Sequence, residues 1–240
     1  MKIKILGPYN SGTNLLTNIL NNNVINKSNG KIEIYQNNHL YLWKHSHNQE
    51  LIENFLEENN DVIIIFLYKS FLNMIHSIQK SPYNLGFKNI YTSPIYFKGK
   101  FMGNTDHTKN KYENILDYYT NYYKTYINIL SNPKYTKRVC FVNYRELINK
   151  QTCFEYLNNT FKTQNINIIL KDENKVIDTL GRPAKNNGVQ VSNSDEALNS
   201  YRNTKKKVFK EIIKKNKQLF LKFDKSILVF FEGITKLNNF

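Results

Sequence analysis

Hydrophobic and polar positions along the chain fall into short runs whose period switches between that of a strand and that of a helix. Lys2–Leu6 alternates Lys with Ile and Leu before Gly7-Pro8 breaks the run. Beyond Gly12, Leu15, Leu16, Ile19 and Leu20 recur at helical spacing until Asn21-Asn22-Asn23 ends them. Short strands are expected over 31–35 and 40–44, and a helix over Gln49–Glu58, where Leu51, Ile52, Phe55 and Leu56 share a face. Val62–Tyr68 is apolar on both of its faces, the mark of a strand at the centre of a parallel sheet covered by helices. Helical spacing resumes over 71–79, and a long tyrosine-rich amphipathic helix follows over 112–130. A buried strand is expected over 138–142 and a helical region over 146–161. Between these elements, 80–109 carries Pro82, Gly86, Pro94, Gly99 and Gly103 and predicts a mostly irregular insertion of the kind that covers a site. Residues 171–200 are polar and loop-like, and 201–240 is helical and strongly basic.

Strands alternating with helices imply an α/β fold, three layers with a central, mainly parallel sheet, in one domain spanning 1–240. With 40% hydrophobic and 14% aromatic residues, the 240-residue chain has ample material for a core, which excludes a disordered tail protein. Its formal net charge of +15 favours polyanionic partners without choosing among them. The Asn/Lys/Ile/Tyr bias resembles AT-rich coding, which lowers the weight of that charge, and the Lys-rich tail reads first as a solvated face. No nucleic-acid-binding motif accompanies it. Two cysteines, Cys140 and Cys153, make no disulfide framework, and no Cys/His spacing predicts a metal site. No apolar run approaches the ~18–20 residues of a membrane span, and no signal peptide is evident, so a soluble cytoplasmic protein is the expectation.

The candidate chemistry begins at Gly7-Pro8-Tyr9-Asn10-Ser11-Gly12-Thr13-Asn14. A strand that turns through small residues into a helix gathers backbone N–H groups around one point. The helix N-terminus adds its partial positive charge, and Ser11 and Thr13 add hydroxyl donors. This is a phosphate cradle. It lacks the Lys of a nucleoside-triphosphate P-loop, because Thr13 follows Gly12.

The segment resembles the 5′-phosphosulfate loop of sulfotransferases that use 3′-phosphoadenylyl sulfate (PAPS), which reads Pro-Lys/Arg-Ser-Gly-Thr-Thr/Asn. The resemblance implies that Asn10, Ser11, Gly12, Thr13 and Asn14 hold the 5′-phosphosulfate. Asn10 departs from the family's Lys or Arg, losing the cation that neutralises the leaving group. In the family a central strand ends in Arg, and a Ser eight positions later joins it on the cofactor's 3′-phosphate. Lys69 and Ser77 have that spacing here. Tyr144, after the late strand, matches the family's Tyr near the adenine. The family's base is a His at a strand end between these segments. His45 in Trp43-Lys44-His45-Ser46-His47 is the first choice and His47 the second, and the segment is similar to that of bacterial and viral members. Lys44 is a candidate for the cation missing at position 10. His39, His76 and His107 are assigned to structure or solvent.

The implied function is transfer of a sulfuryl group from PAPS to a hydroxyl or amine acceptor, a small molecule or a glycan, on a P-loop NTPase-like architecture, with no metal required and adenosine 3′,5′-bisphosphate (PAP) as the product. Two alternatives stand beside it: a degenerate P-loop small-molecule kinase, and a catalytically silent nucleotide- or polyanion-binding protein of the same fold.

Overall fold

All seven residues of the Val62–Tyr68 strand are buried, because the strand has neighbours on both edges and helices on both faces. The computed structural model describes residues 1–26, 32–35, 42–83, 85–90, 92–97, 111–181, 185–186, 189–190 and 198–199. The described elements are, in order, β1 (Lys2–Leu6), α1 (Thr13–Asn23), β2 (Val24–Asn26), β3 (Glu33–Tyr35), α2 (Gln49–Glu58), β4 (Val62–Tyr68), α3 (Phe71–Lys80), β5 (Leu85–Gly86), β6 (Ile95–Phe97), β7 (Lys111–Tyr112), α4 (Ile115–Ser131), β8 (Val139–Asn143), α5 (Tyr144–Leu147), α6 (Cys153–Thr163), β9 (Ile168–Leu170), α7 (Glu173–Gly181), β10 (Lys185–Asn186) and β11 (Val189–Gln190).

The central sheet has the order β3-β1-β4-β8, and each of its pairings is parallel. Alternation along β4 divides the core. Val62, Ile64, Phe66 and Tyr68 join α2, α3 and α4 on one face, while Ile63, Ile65 and Leu67 join α1, α5, α6 and α7 on the other. The helices that follow the adjacent strands β1 and β4 therefore cover opposite faces. Such a divergence opens a crevice at the carboxyl ends of the two strands, where open α/β sheets bind ligands.

Register then sets what meets in the crevice. Leu6 pairs with Phe66, and β4 continues to Tyr68, which pairs with Asn143. The next residues, Lys69 and Tyr144, leave the sheet side by side.

Some elements differ from expectation. Residues 42–44, expected as strand, run irregularly into a turn at 44–45, because the Lys44 carbonyl is taken by the Gly7 amide rather than by a ladder. The 80–109 insertion contributes β5 and β6, which pair antiparallel with each other, and β6 pairs antiparallel with β7 in turn; 98–109 lies outside the described residues. The region 146–161 is split into α5 and α6. Within 171–200, α7 is a helix that buries only Val176 and Leu180. Short β2 and β9 form an antiparallel pair that no periodicity announced. The basic 201–240 region, His39 and His107 lie outside the described residues. Among those described, no helix is long and apolar enough to cross a membrane.

One side chain ties α2 to the sheet. The Arg138 guanidinium donates to the carbonyls of Leu56 at 2.8 Å, Asn59 at 2.5 Å and Val62 at 3.2 Å. Arg138→Met should lower the unfolding free energy by about 1.5–3 kcal/mol, the worth of charge-assisted bonds to half-buried carbonyls. Arg138→Lys should restore only part of it, since an ammonium lacks the planar fork. Urea unfolding of both variants checks this, and equal stability of Lys and Arg would contradict it.

Candidate anion-binding site at the carboxyl ends of β1 and β4

The turn after β1 is shaped by two residues in the left-handed region, Asn10 at φ 63° and Gly12 at φ 93°. Asn tolerates that region because its short side chain bonds locally, and Gly because it lacks Cβ. Gly12 has a second reason. A Cβ there would lie 2.6 Å from Cδ2 of Tyr144, whose ring packs on the turn. A Cβ at Gly7 would lie 2.3 Å from Ser11 Oγ, so this glycine lets the Ser11 hydroxyl fold back over the end of β1. Ser11 is 1% exposed, and its Oγ has no hydrogen-bond partner among the described residues. An orphaned buried hydroxyl is costly. No side chain caps α1, and its first turn carries no acidic residue, so the first-turn amides also face this point.

Lys69 supplies charge. It is 5% exposed, and its Nζ donates to the Asn10 carbonyl at 3.0 Å and to Ser77 Oγ at 2.7 Å. The same Nζ stands 4.1 Å from the centroid of the Tyr144 ring. Burial lowers its pKa from 10.5 to about 7, and no carboxylate among the described residues opposes the shift. Lys44 approaches from the other side, its Nζ donating to Asn14 Oδ1 at 2.9 Å in the first turn of α1. Burial lowers its pKa as well. Lys4, inside β1, is fully buried, with its pKa lowered to about 7 by desolvation first and by Lys44 second.

The two histidines part company. Gly7 donates its N–H to the Lys44 carbonyl at 2.9 Å and accepts from His45 Nδ1 at 2.6 Å. A carbonyl only accepts, so neutral His45 carries its proton on Nδ1 and its lone pair on Nε2, the form a general base requires. Its ring stacks on Tyr9 at 4.2 Å and meets Trp43 edge-on at 4.7 Å. His47 instead bonds Tyr112 Oη through Nε2 and stacks on Tyr122 at 4.2 Å, so its ring is built into the aromatic core.

Asn10, Ser11, Gly12, Asn14, Lys44, His45, Lys69, Ser77 and Tyr144 are thus joined by direct contacts around one turn, with Thr13 at the start of α1. Asn10 spends its side-chain amide on the Ser81 carbonyl, at 3.0 Å. Tyr144 lies over Gly12 and beside Lys69. Half-buried His76 has its pKa lowered, by desolvation first.

Sequence reasoning missed the supports. Tyr118, Tyr119, Tyr122, Tyr123 and Tyr126 on α4 are fully buried. Tyr118 Oη accepts from the Tyr9 amide at 3.3 Å, Tyr122 donates to the His45 carbonyl at 2.7 Å, and Tyr126 donates to the Ser46 carbonyl at 2.7 Å. Tyr123 Oη accepts from the Lys69 amide at 3.0 Å, and Tyr119 donates to the Lys69 carbonyl at 3.3 Å. The signal was available: tyrosine, not phenylalanine, on the buried face of a helix announces hydroxyls that need partners. Lys4, charged yet flanked by apolar strand positions, was a second such signal.

The residues suit a phosphorylated anion. A buried and a half-buried ammonium, with no carboxylate beside them among the described residues, share one turn with an orphaned hydroxyl and an uncapped helix start. Among the described residues no group of three or more His, Cys, Asp or Glu is placed to hold a metal ion.

A stability signature follows from Lys69. With its folded value at about 7 against 10.5, unfolding takes up a proton between those limits. The cost of burying the ammonium is full below pH 7 and is relieved as pH rises toward 10.5. Lys69→Met should therefore stabilise the ligand-free protein at pH 6 and lose that advantage by pH 10. Urea unfolding across this range tests it; a gain independent of pH would contradict it.

Comparison of the chain with protein-family models, with curated proteins and with solved structures finds no match in any of the three.

Proposed function

We propose that the crevice binds an adenine nucleotide carrying two separate anionic groups, and that the protein is a PAPS-dependent sulfotransferase of P-loop NTPase-like architecture. The observation that carries the reading is the Lys69 ammonium, buried with no carboxylate partner among the described residues and bonded at once to the Asn10 carbonyl and to Ser77. It stands between the turn that would seat the 5′-phosphosulfate and the Ser77 side that would seat the 3′-phosphate. His45, presenting Nε2, would take the acceptor proton as the acceptor oxygen or nitrogen attacks sulfur; the S–O bond to the 5′-phosphate breaks and PAP leaves. Lys44, held at Asn14, supplies a cation near the turn that Asn10 does not. The kinase reading has less support, since no Lys follows Gly12.

Titration calorimetry with PAP, with and without Mg²⁺, tests the reading. PAP should bind without metal. At pH 8, where Lys69 alone is mostly neutral, binding should take up a proton, seen as an enthalpy that varies with buffer ionisation heat. Lys69→Met should weaken PAP by ~10–100-fold, the loss of one charge-assisted contact to a buried phosphate. Binding of ATP only with Mg²⁺, and none of PAP, would favour the kinase; unchanged PAP affinity in Lys69→Met would remove the proposed seat.

Turnover tests the base. His45→Ala should lower sulfuryl transfer from PAPS across an acceptor panel by ~10²–10⁴-fold while PAP affinity holds. His47→Ala should act through stability. Full turnover in His45→Ala would exclude it as base.

A further inference from the structure

The tyrosine helix does more than fill the core. Phenylalanine would fill the same space; each hydroxyl adds only the bond it makes, and the α4 hydroxyls reach the backbone of the segments that form the crevice. Those segments leave the sheet at Leu6 and Tyr68 or, at 42–47, never join it, so their buried peptide groups lack ladder partners. Spacing sorts the hydroxyls. Residues 118, 122 and 126 form one i, i+4 row, and 119 and 123 form the next. The first row reaches the Tyr9 amide and the His45 and Ser46 carbonyls. The second holds both the amide and the carbonyl of Lys69. Alternation in β4 sends the Lys69 side chain toward the α1 face, while its backbone rests on α4.

We infer that α4 is a positioning element with divided duties: Tyr119 and Tyr123 fix the Lys69 ammonium against the turn, and Tyr122 fixes the His45 ring against Gly7. The tyrosines act through these residues and touch no ligand themselves. Separate control is a consequence. Deleting hydroxyls of the second row alters the cation and leaves the imidazole as it was, and deleting Tyr122 does the reverse.

The test compares Tyr119→Phe/Tyr123→Phe, its two single variants, Tyr122→Phe and Tyr126→Phe with the parent full chain. NMR follows the titration of Lys69 (at its Cε methylene, assigned with Lys69→Met) and of the His45 ring. PAP affinity and thermal midpoint are measured alongside. The second-row double variant should move the Lys69 titration by about 0.5 unit or more, with His45 unchanged. It should weaken PAP ~10-fold, as loss of aim in a charge-assisted contact would. Tyr122→Phe should move the His45 titration and leave Lys69 and PAP affinity within twofold. Tyr126→Phe should lower the midpoint like the others and move neither titration. Should the double variant not fold, the single variants carry the same comparison. Midpoints that fall while both titrations stay fixed, or titrations that move together whichever row is cut, would overturn the inference. Only the PAP arm rests on the nucleotide reading. A parent that ignores PAP while the titrations still separate by row would sink that reading and leave the division of α4 standing.

Discussion

A lysine ammonium buried where two parallel strands end, with no carboxylate beside it among the described residues, is the constraint around which this site is arranged. Removing such a charge from water costs several kcal/mol after relaxation. The chain offsets part of that with the Asn10 carbonyl, the Ser77 hydroxyl and the face of the Tyr144 ring. Each comes from a different element, so each needs that element in register. The parallel pairing of Tyr68 with Asn143 delivers Tyr144. The left-handed turn at Asn10 aims its carbonyl, and the helix after β4 returns Ser77. The Lys69 value of about 7 marks what is left uncompensated, which an incoming anion would supply.

The irregular segments that line the crevice raise a second physical problem, since backbone that leaves a sheet inside a core must still satisfy its peptide groups. Here the solution is aromatic. α4 lays fully buried rings against β4 and projects hydroxyls into the gaps, so one helix serves both as core and as a set of hydrogen-bonding groups. Function and stability are consequently entangled in the same residues. Buried His45 and the turn beside it are held from behind by groups that belong to the core.

The sequence carried the α/β class, the first strand-turn-helix unit and the central strand, because those patterns are local: period 2, a glycine break, period 3.6. It also carried the residues of the turn and the pair Lys69 and Ser77, since their spacing on a strand–helix joint is written in one segment. Contacts across the sheet were another matter. That Lys44 meets Asn14, or that Lys69 lies on the Asn10 carbonyl, depends on strand order and register, which no single stretch encodes. Periodicity does not separate His45 from His47, because 42–47 follows none; their different partners, Gly7 and Tyr112, are set by tertiary contact. Short pairs such as β2 with β9 are set by tertiary contact and leave no pattern to read.

Asn10 is where this chain departs most from the loop it resembles, and the geometry makes the departure coherent. A left-handed residue is needed at this position, and asparagine accepts that conformation more readily than lysine. A lysine there would also bring a third ammonium to a turn already served by Lys44 and Lys69, at a point where burial depresses both of theirs. Asparagine instead donates to the Ser81 carbonyl, which pins the turn to the end of α3 and the start of the chain leading to β5. Positive charge has thus moved off the turn and onto the two segments that flank it. The first-turn amides of α1 and the Ser11 hydroxyl face the crevice, while the cations arrive on scaffolds held by α4 and by the sheet.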